Sequence, residues 1–329
     1  MISKYISSTD EPEFLVDSVP MNAHKGAKVN RVSALMDASV QIEAERPSGD
    51  DIAFMHAILC QIGLPRSRVP GERFERTSGS ASLVVHAGEI WNGQAMVRQP
   101  IPYGSIPRLV LAHVTRYAVR HKTREIPFGK SANDALRQLG IDKSGRSYVM
   151  FQRQVQALAA CSITLGFNAE GRAITFDGRP VQQFDAWLSA DSKQRTPWPS
   201  RIVLSSDFQQ TLMERAVPYD LRALLKLRGS ALAMDVYLWL VARLVRIRKK
   251  STTVYWSQLK EQFGHEYRDI RNFKRKFLIA LRDALLMYPM AKVEEVSGGL
   301  RLYSSQPAVQ PRFRFDGGKA CLISPVTQP

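Results

Sequence analysis

Apolar residues along this 329-residue chain fall into short periodic blocks, divided by polar stretches that carry glycine and proline. Residues 1–50 are polar and weakly periodic and read as a flexible segment. Ile52, Met55, Leu59 and Ile62 share one face at helical spacing, and Gly63 with Pro65 ends that block. Residues 65–79 are basic and irregular, whereas 82–87 and 91–99 read as strands joined by a turn. A long helix is expected from Pro107, whose missing donor suits a first turn. Leu109, Val110, His113, Val114, Tyr117 and Ala118 form its inner stripe. After Ile126-Pro127-Phe128, Ser131 caps a second helix with Asp134 three residues on, and Gly140 stops it. A third helix over about 147–161 turns Phe151, Val155, Leu158 and Ala159 inward, and strands at 162–167 and 173–176 follow it.

The second half repeats that plan. A polar connection over 182–199 ends in Pro197 and Pro199. A strand at 201–204, short helices at 207–216 and 218–227, and a long helix at 230–249 come next. Residues 252–255 read as a strand and 256–263 as a short helix stopped by Gly264. A long basic helix is expected over 266–288, with Ile270, Phe273, Phe277, Leu281, Ala284, Leu285 and Tyr288 as its core stripe. Strands at 291–296 and 300–304 around Gly298-Gly299 close the pattern as a hairpin. Helix, helix, helix, hairpin is the order of a winged helix. The expected fold is α+β: two tandem winged-helix domains with flexible termini. The first would span 51–181 and the second 200–306, with 1–50, a linker at 182–199 and a tail at 307–329 outside them. The longest apolar run, 231–247, is broken by Asp235, Arg243 and Arg246, which argues for a soluble amphipathic helix and against a membrane span.

Charge changes the picture. The chain holds 46 Lys and Arg against 30 Asp and Glu, a formal net charge of +16. Residues 1–50 are net acidic, with five basic and eight acidic side chains, while 240–282 carry 12 basic against 3 acidic. A positive field concentrated in this way favours a polyanionic partner, and double-stranded DNA fits best. It makes the second domain the main DNA-binding one. On the long basic helix, Arg268, Arg271, Arg275 and Arg282 fall mostly opposite the apolar stripe, flanked by Asn272, Lys274 and Lys276. Arginine can pair with guanine O6 and N7 in a bidentate way, and asparagine with adenine. The third helix of the first half offers a weaker exposed face of Arg146, Ser147, Met150, Arg153 and Gln154. Arg248, Lys249, Lys250 and Arg301 are candidates for the phosphate backbone.

Other chemistry finds little support. The three cysteines, Cys60, Cys161 and Cys321, are far apart and form no CxxC pair, so neither a disulfide framework nor a zinc site is indicated. A reducing cytoplasm suits them, and the N-terminus lacks the apolar core of a signal peptide. Phe128-Gly129-Lys130-Ser131 ends like a P-loop, but that loop needs glycine where Arg124 stands. The six histidines show no HxH or HExxH spacing, and the acids form no pair suited to acid–base work. No catalytic residue, cofactor or metal is expected.

Several segments resemble the RepA-type plasmid replication initiators, the family with a RepA C-terminal domain. The clearest is Val217-Pro218-Tyr219-Asp220-Leu221-Arg222-Ala223-Leu224, running on into Ser230-Ala231-Leu232-Ala233-Met234-Asp235-Val236-Tyr237-Leu238-Trp239-Leu240. Trp256-Ser257-Gln258-Leu259-Lys260-Glu261-Gln262-Phe263-Gly264 continues it. Ser144-Gly145-Arg146 and Ala159-Ala160-Cys161-Ser162-Ile163 are similar upstream. The likeness spans about 105–305. It implies a cytoplasmic bacterial protein with two winged-helix domains that binds repeated sites at a plasmid origin. It also implies opening of an AT-rich region, recruitment of host helicase and polymerase machinery, plasmid copy control, and in some relatives a switch between repressor dimer and initiator monomer. The alternative in the regulatory class is a winged-helix transcriptional repressor or autoregulator on operator DNA.

Overall fold

The computed structural model describes residues 21–129, 131–169, 172–184, 201–310, 312–316 and 319–323. Helices occur together with sheets whose strands all pair antiparallel, an α+β fold. The part of the 182–199 connection after residue 184 lies outside the described residues.

The termini carry more structure than their composition suggests. Helix α1, Met21–Ala44, lies within the segment expected to be flexible. It docks through buried Leu35 and Ala38, and its Arg31 pairs with Asp283 at 2.8 Å. The expected tail holds a hairpin, β15 (Arg312–Asp316) with β16 (Lys319–Ile323).

Residues 52–62 do not form the expected helix. Strand β1, Ile52–His56, pairs antiparallel with β11, Ala216–Asp220, and only Ala57–Gln61 becomes helix α2. A helical spacing of four residues cannot outweigh a partner strand that satisfies the backbone donors. The same pairing converts 216–220 from helix to strand, so Pro218 lies in a two-stranded ladder, where a missing donor is tolerated. Asp220 then caps α7, Leu221–Lys226, by accepting from the Arg222 N–H at 2.9 Å.

The first half is built round α3 (Ser105–His121), α4 (Ala132–Gln138) and α5 (Gly145–Ala160). Ser131 and Ser144 cap the last two by accepting from Asp134 N–H and Ser147 N–H, both at 3.2 Å. The hairpin expected after them forms as β7 (Ser162–Ala169) and β8 (Arg172–Gly178). It does not stand free. With β2 (Arg73–Ser78) and β3 (Ala81–His86) it makes a four-stranded sheet in the order β2-β3-β7-β8. The expected strand at 91–99 is instead the short hairpin β4 (Glu89–Trp91) and β5 (Met96–Arg98).

The second half centres on α8, Ala231–Leu244, which is buried on every side, as a helix apolar around its whole circumference must be. It ends five residues before the expected boundary, so residues 246–250 lie beyond it. Strand β12 (Ser251–Tyr255), α9 (Trp256–Phe263), α10 (Ile270–Leu286), β13 (Val293–Val296) and β14 (Gly299–Tyr303) follow in the expected order. The three strands form one antiparallel sheet, β12-β14-β13. Gly298 adopts φ +88° at its turn, and a side chain on Gly299 would meet the Val254 carbonyl oxygen at 2.2 Å.

The two halves share one continuous apolar core. Besides β1 with β11, strand β10 (Arg201–Leu204) pairs with β6 (Glu125–Pro127) and β9 (Val181–Phe184). Arg108 on α3 reaches Asp235 on α8 with bonds of 2.6 and 2.7 Å, both side chains being buried. Its remaining donors reach the carbonyls of Leu64, Pro65 and Gly104. All five guanidinium N–H groups are thereby satisfied, which a buried cation needs.

Candidate nucleic-acid interface

Helix α10 begins at Ile270, four residues later than its hydrophobic pattern suggests, because Asp269 caps it. The Asp269 carboxylate accepts from the Arg271 and Asn272 N–H groups at 3.2 and 3.1 Å. These backbone bonds, before any neighbouring charge, hold its carboxyl below the usual range. Arg268 therefore precedes the helix, and Lys260 donates to its carbonyl at 3.2 Å.

The start of α10 is also fixed from outside. Glu266 pairs with Arg66 and with Arg76 at 3.4 Å, two cations of the first half. Burial would raise the Glu266 carboxyl, but these guanidinium groups hold it below its ordinary value. No sequence spacing signals this cluster, because its members are nearly 200 residues apart.

Phe273, Phe277, Ala280, Leu281 and Ala284 seat α10 in the core. Ile270, assigned to that stripe by spacing, is 44% exposed because the first turn overhangs the core. Opposite the stripe, Arg271, Asn272, Arg275 and Lys276 are exposed. Arg275 donates to Asn272 Oδ1 at 2.9 Å, and none of the three cations pairs with a carboxylate among the described residues. A row of uncompensated donors beside a partly exposed isoleucine can address phosphates and base edges, including a thymine methyl.

The other predicted residues are placed differently. Lys274 is half-buried, bonds Glu295 of β13 at 2.8 Å, and lies 4.9 Å from the centre of the Trp256 ring. It fastens the hairpin to the helix. Arg301 on β14 lies 3.5 Å from Glu294, so the hairpin carries acids that the basic pattern did not reveal. Arg282 lies 3.6 Å from Asp283 and beside α1. Lys249 and Lys250 are exposed in the segment between α8 and β12. On α5, Arg146 and Arg153 are exposed, but Ser147 is engaged at the helix cap with Ser144 and Asp142. Gln154, read as exposed, is buried and accepts from the Tyr103 N–H at 2.8 Å.

Residues 101–258 match the family described as plasmid encoded RepA protein. Over that segment, just under half of the chain, the match supports a RepA-type plasmid replication initiator C-terminal domain. The RepA segment runs from just before α3 to the first turn of α9; α10 and its hairpin lie beyond it. Two crystal structures of domains 2 and 3 of RctB are similar to this chain. One has 12% identity and a TM-score of 0.48, covering 77% of this chain and 99% of that one. The other has 14% identity and a TM-score of 0.44, covering 74% and 94%. No curated protein matches. Among the described residues no group of three or more His, Cys, Asp or Glu could hold a metal, and no helix is long and apolar enough to cross a membrane.

Proposed function

We propose that this RepA-type initiator binds repeated duplex sites at a plasmid origin through two winged-helix units, with α10 as the principal recognition helix. The exposed face of Arg271, Asn272, Arg275 and Lys276 carries the proposal, because these donors lack carboxylate partners while the helix is anchored behind by Phe273 and Phe277. In this reading α10 enters the major groove with Arg271 and Arg275 at base edges, while Arg268 and Lys276 meet phosphates. The β13–β14 hairpin acts as the wing, and Arg146 and Arg153 of α5 touch a neighbouring part of the site. Binding energy deforms AT-rich DNA and presents it to host helicase and initiator proteins, with no catalytic step by this chain.

The test is binding of an origin fragment by Arg271→Ala and Arg275→Ala. Each loss of a base contact should weaken binding by about 1–3 kcal/mol and relax specificity at one position. Lys276→Ala should weaken all sequences alike and lower the salt slope by about 1. Unchanged affinity in both arginine variants would remove α10 as the reading helix. Replication of a plasmid carrying the gene and its upstream repeats separates an initiator from a repressor using the same surface.

A further inference from the structure

A second basic site lies away from the exposed face of α10. An open cleft of about 430 Å³ runs between α2, the carboxyl end of α8 and the start of β12. Arg243, Arg246, Arg248 and Lys249 line it, and no carboxylate does. None of the four makes an ion pair among the described residues. The carbonyl end of α8 supplies about half a negative charge, too little to balance four cations. Arg243 is half-buried, and burial holds its guanidinium below its ordinary range, so a cation there remains uncompensated.

A second observation points the same way. Trp239 also lines the cleft and is 2% exposed, yet its indole N–H has no hydrogen-bond acceptor among the described residues. Buried donors are ordinarily satisfied, so an orphan beside cations that lack carboxylate partners, one of which, Arg243, lies 5.9 Å from the centre of the same ring, marks a place for an acceptor. Ala57, Ala242 and Ile247 give the cleft an apolar wall as well. Its volume falls in the range of small-molecule sites, about 300–1,000 Å³.

We propose that this cleft binds a free phosphate-bearing small molecule of nucleotide size, its phosphates held by Arg243, Arg246, Arg248 and Lys249 and its organic body against the Trp239 wall. One phosphate monoester carries about −1.5 to −2 at neutral pH, so two or more phosphates match the four cations. The P-loop-like 128–131 segment plays no part. The inference does not depend on how α10 meets DNA.

The experiment titrates the full chain calorimetrically with ATP, GTP and inorganic pyrophosphate, and measures duplex origin DNA binding in parallel. Saturable one-to-one binding of at least one nucleotide is expected, with a rise in unfolding temperature as its concentration grows. Arg246→Ala, at an exposed position, and Arg243→Ala should each weaken it at least about tenfold, as loss of a charge-assisted bond does. Origin DNA affinity should be unchanged in Arg243→Ala. The proposal is overturned if no probe binds, if both variants bind like the parent, or if both lose DNA affinity while no nucleotide binds. The last result would make the cleft a seat for the DNA backbone.

Discussion

His56 links a single side chain to the pH dependence of the whole fold. Its Nδ1 accepts from the Ile58 N–H at 3.2 Å, which caps α2 and requires the neutral ring. Burial first, and Arg215 second, lower its pKa from 6.5 to about 4. The unfolded chain therefore binds the extra proton more readily. Its contribution is complete above about pH 6.5 and is lost as pH falls through about 4, amounting to about 3 kcal/mol at most. His56→Asn keeps a short acceptor without this titration, so between pH 7 and 4.5 its urea midpoint should fall less than the parent's. Equal falls would remove His56 as the source. At this scale the sequence was readable at Ser131, whose side chain acts on its own backbone neighbours. It misled at Gln154, whose burial is decided by a backbone donor 51 residues away.

Among elements, α10 and its hairpin carry opposite signs. The outer face of the helix is cationic, while β13 presents Glu294 and Glu295, paired with Arg301 and Lys274. If this hairpin approaches a phosphate backbone, the acids repel it and occupy two cations that could neutralise it. Replacing both with Gln is expected to tighten DNA binding several-fold at low salt and to steepen the salt slope by about 1 for each cation released. An unchanged slope would mean that the hairpin stays clear of DNA. The existence of α9 and α10 was legible because each carries its own periodic apolar face, and the hairpin was legible from the Gly298-Gly299 pair between its strands. The acids on the hairpin were in the sequence too, but their pairing with Lys274 and Arg301 depends on a strand register that local pattern does not specify.

Across the whole molecule, two repeats of one element order do not amount to two separate bodies. Strand β1 pairs with β11, β10 with β6, and the core runs on without a gap. Thermal unfolding of the described body should therefore be one transition, with near- and far-UV circular dichroism coinciding and calorimetric and van't Hoff enthalpies equal. Arg108→Ala leaves buried Asp235 with only Arg66, at 4.0 Å, in place of its two short bonds, and should cost about 3–5 kcal/mol. Two resolved transitions in the parent would contradict the shared core.

The sequence by itself determined most of the later helices, the Ser131 cap, the uneven positive field and the repeated order of elements, since each arises from interactions within a few residues. The tertiary structure decided that 52–56 and 216–220 are strands and that β7 and β8 join a larger sheet. It also decided that Glu266 is gripped by Arg66 and Arg76, and that Lys274 serves the hairpin. Backbone donors and buried charges must find partners wherever the chain brings them, and those partners lie tens to hundreds of residues away.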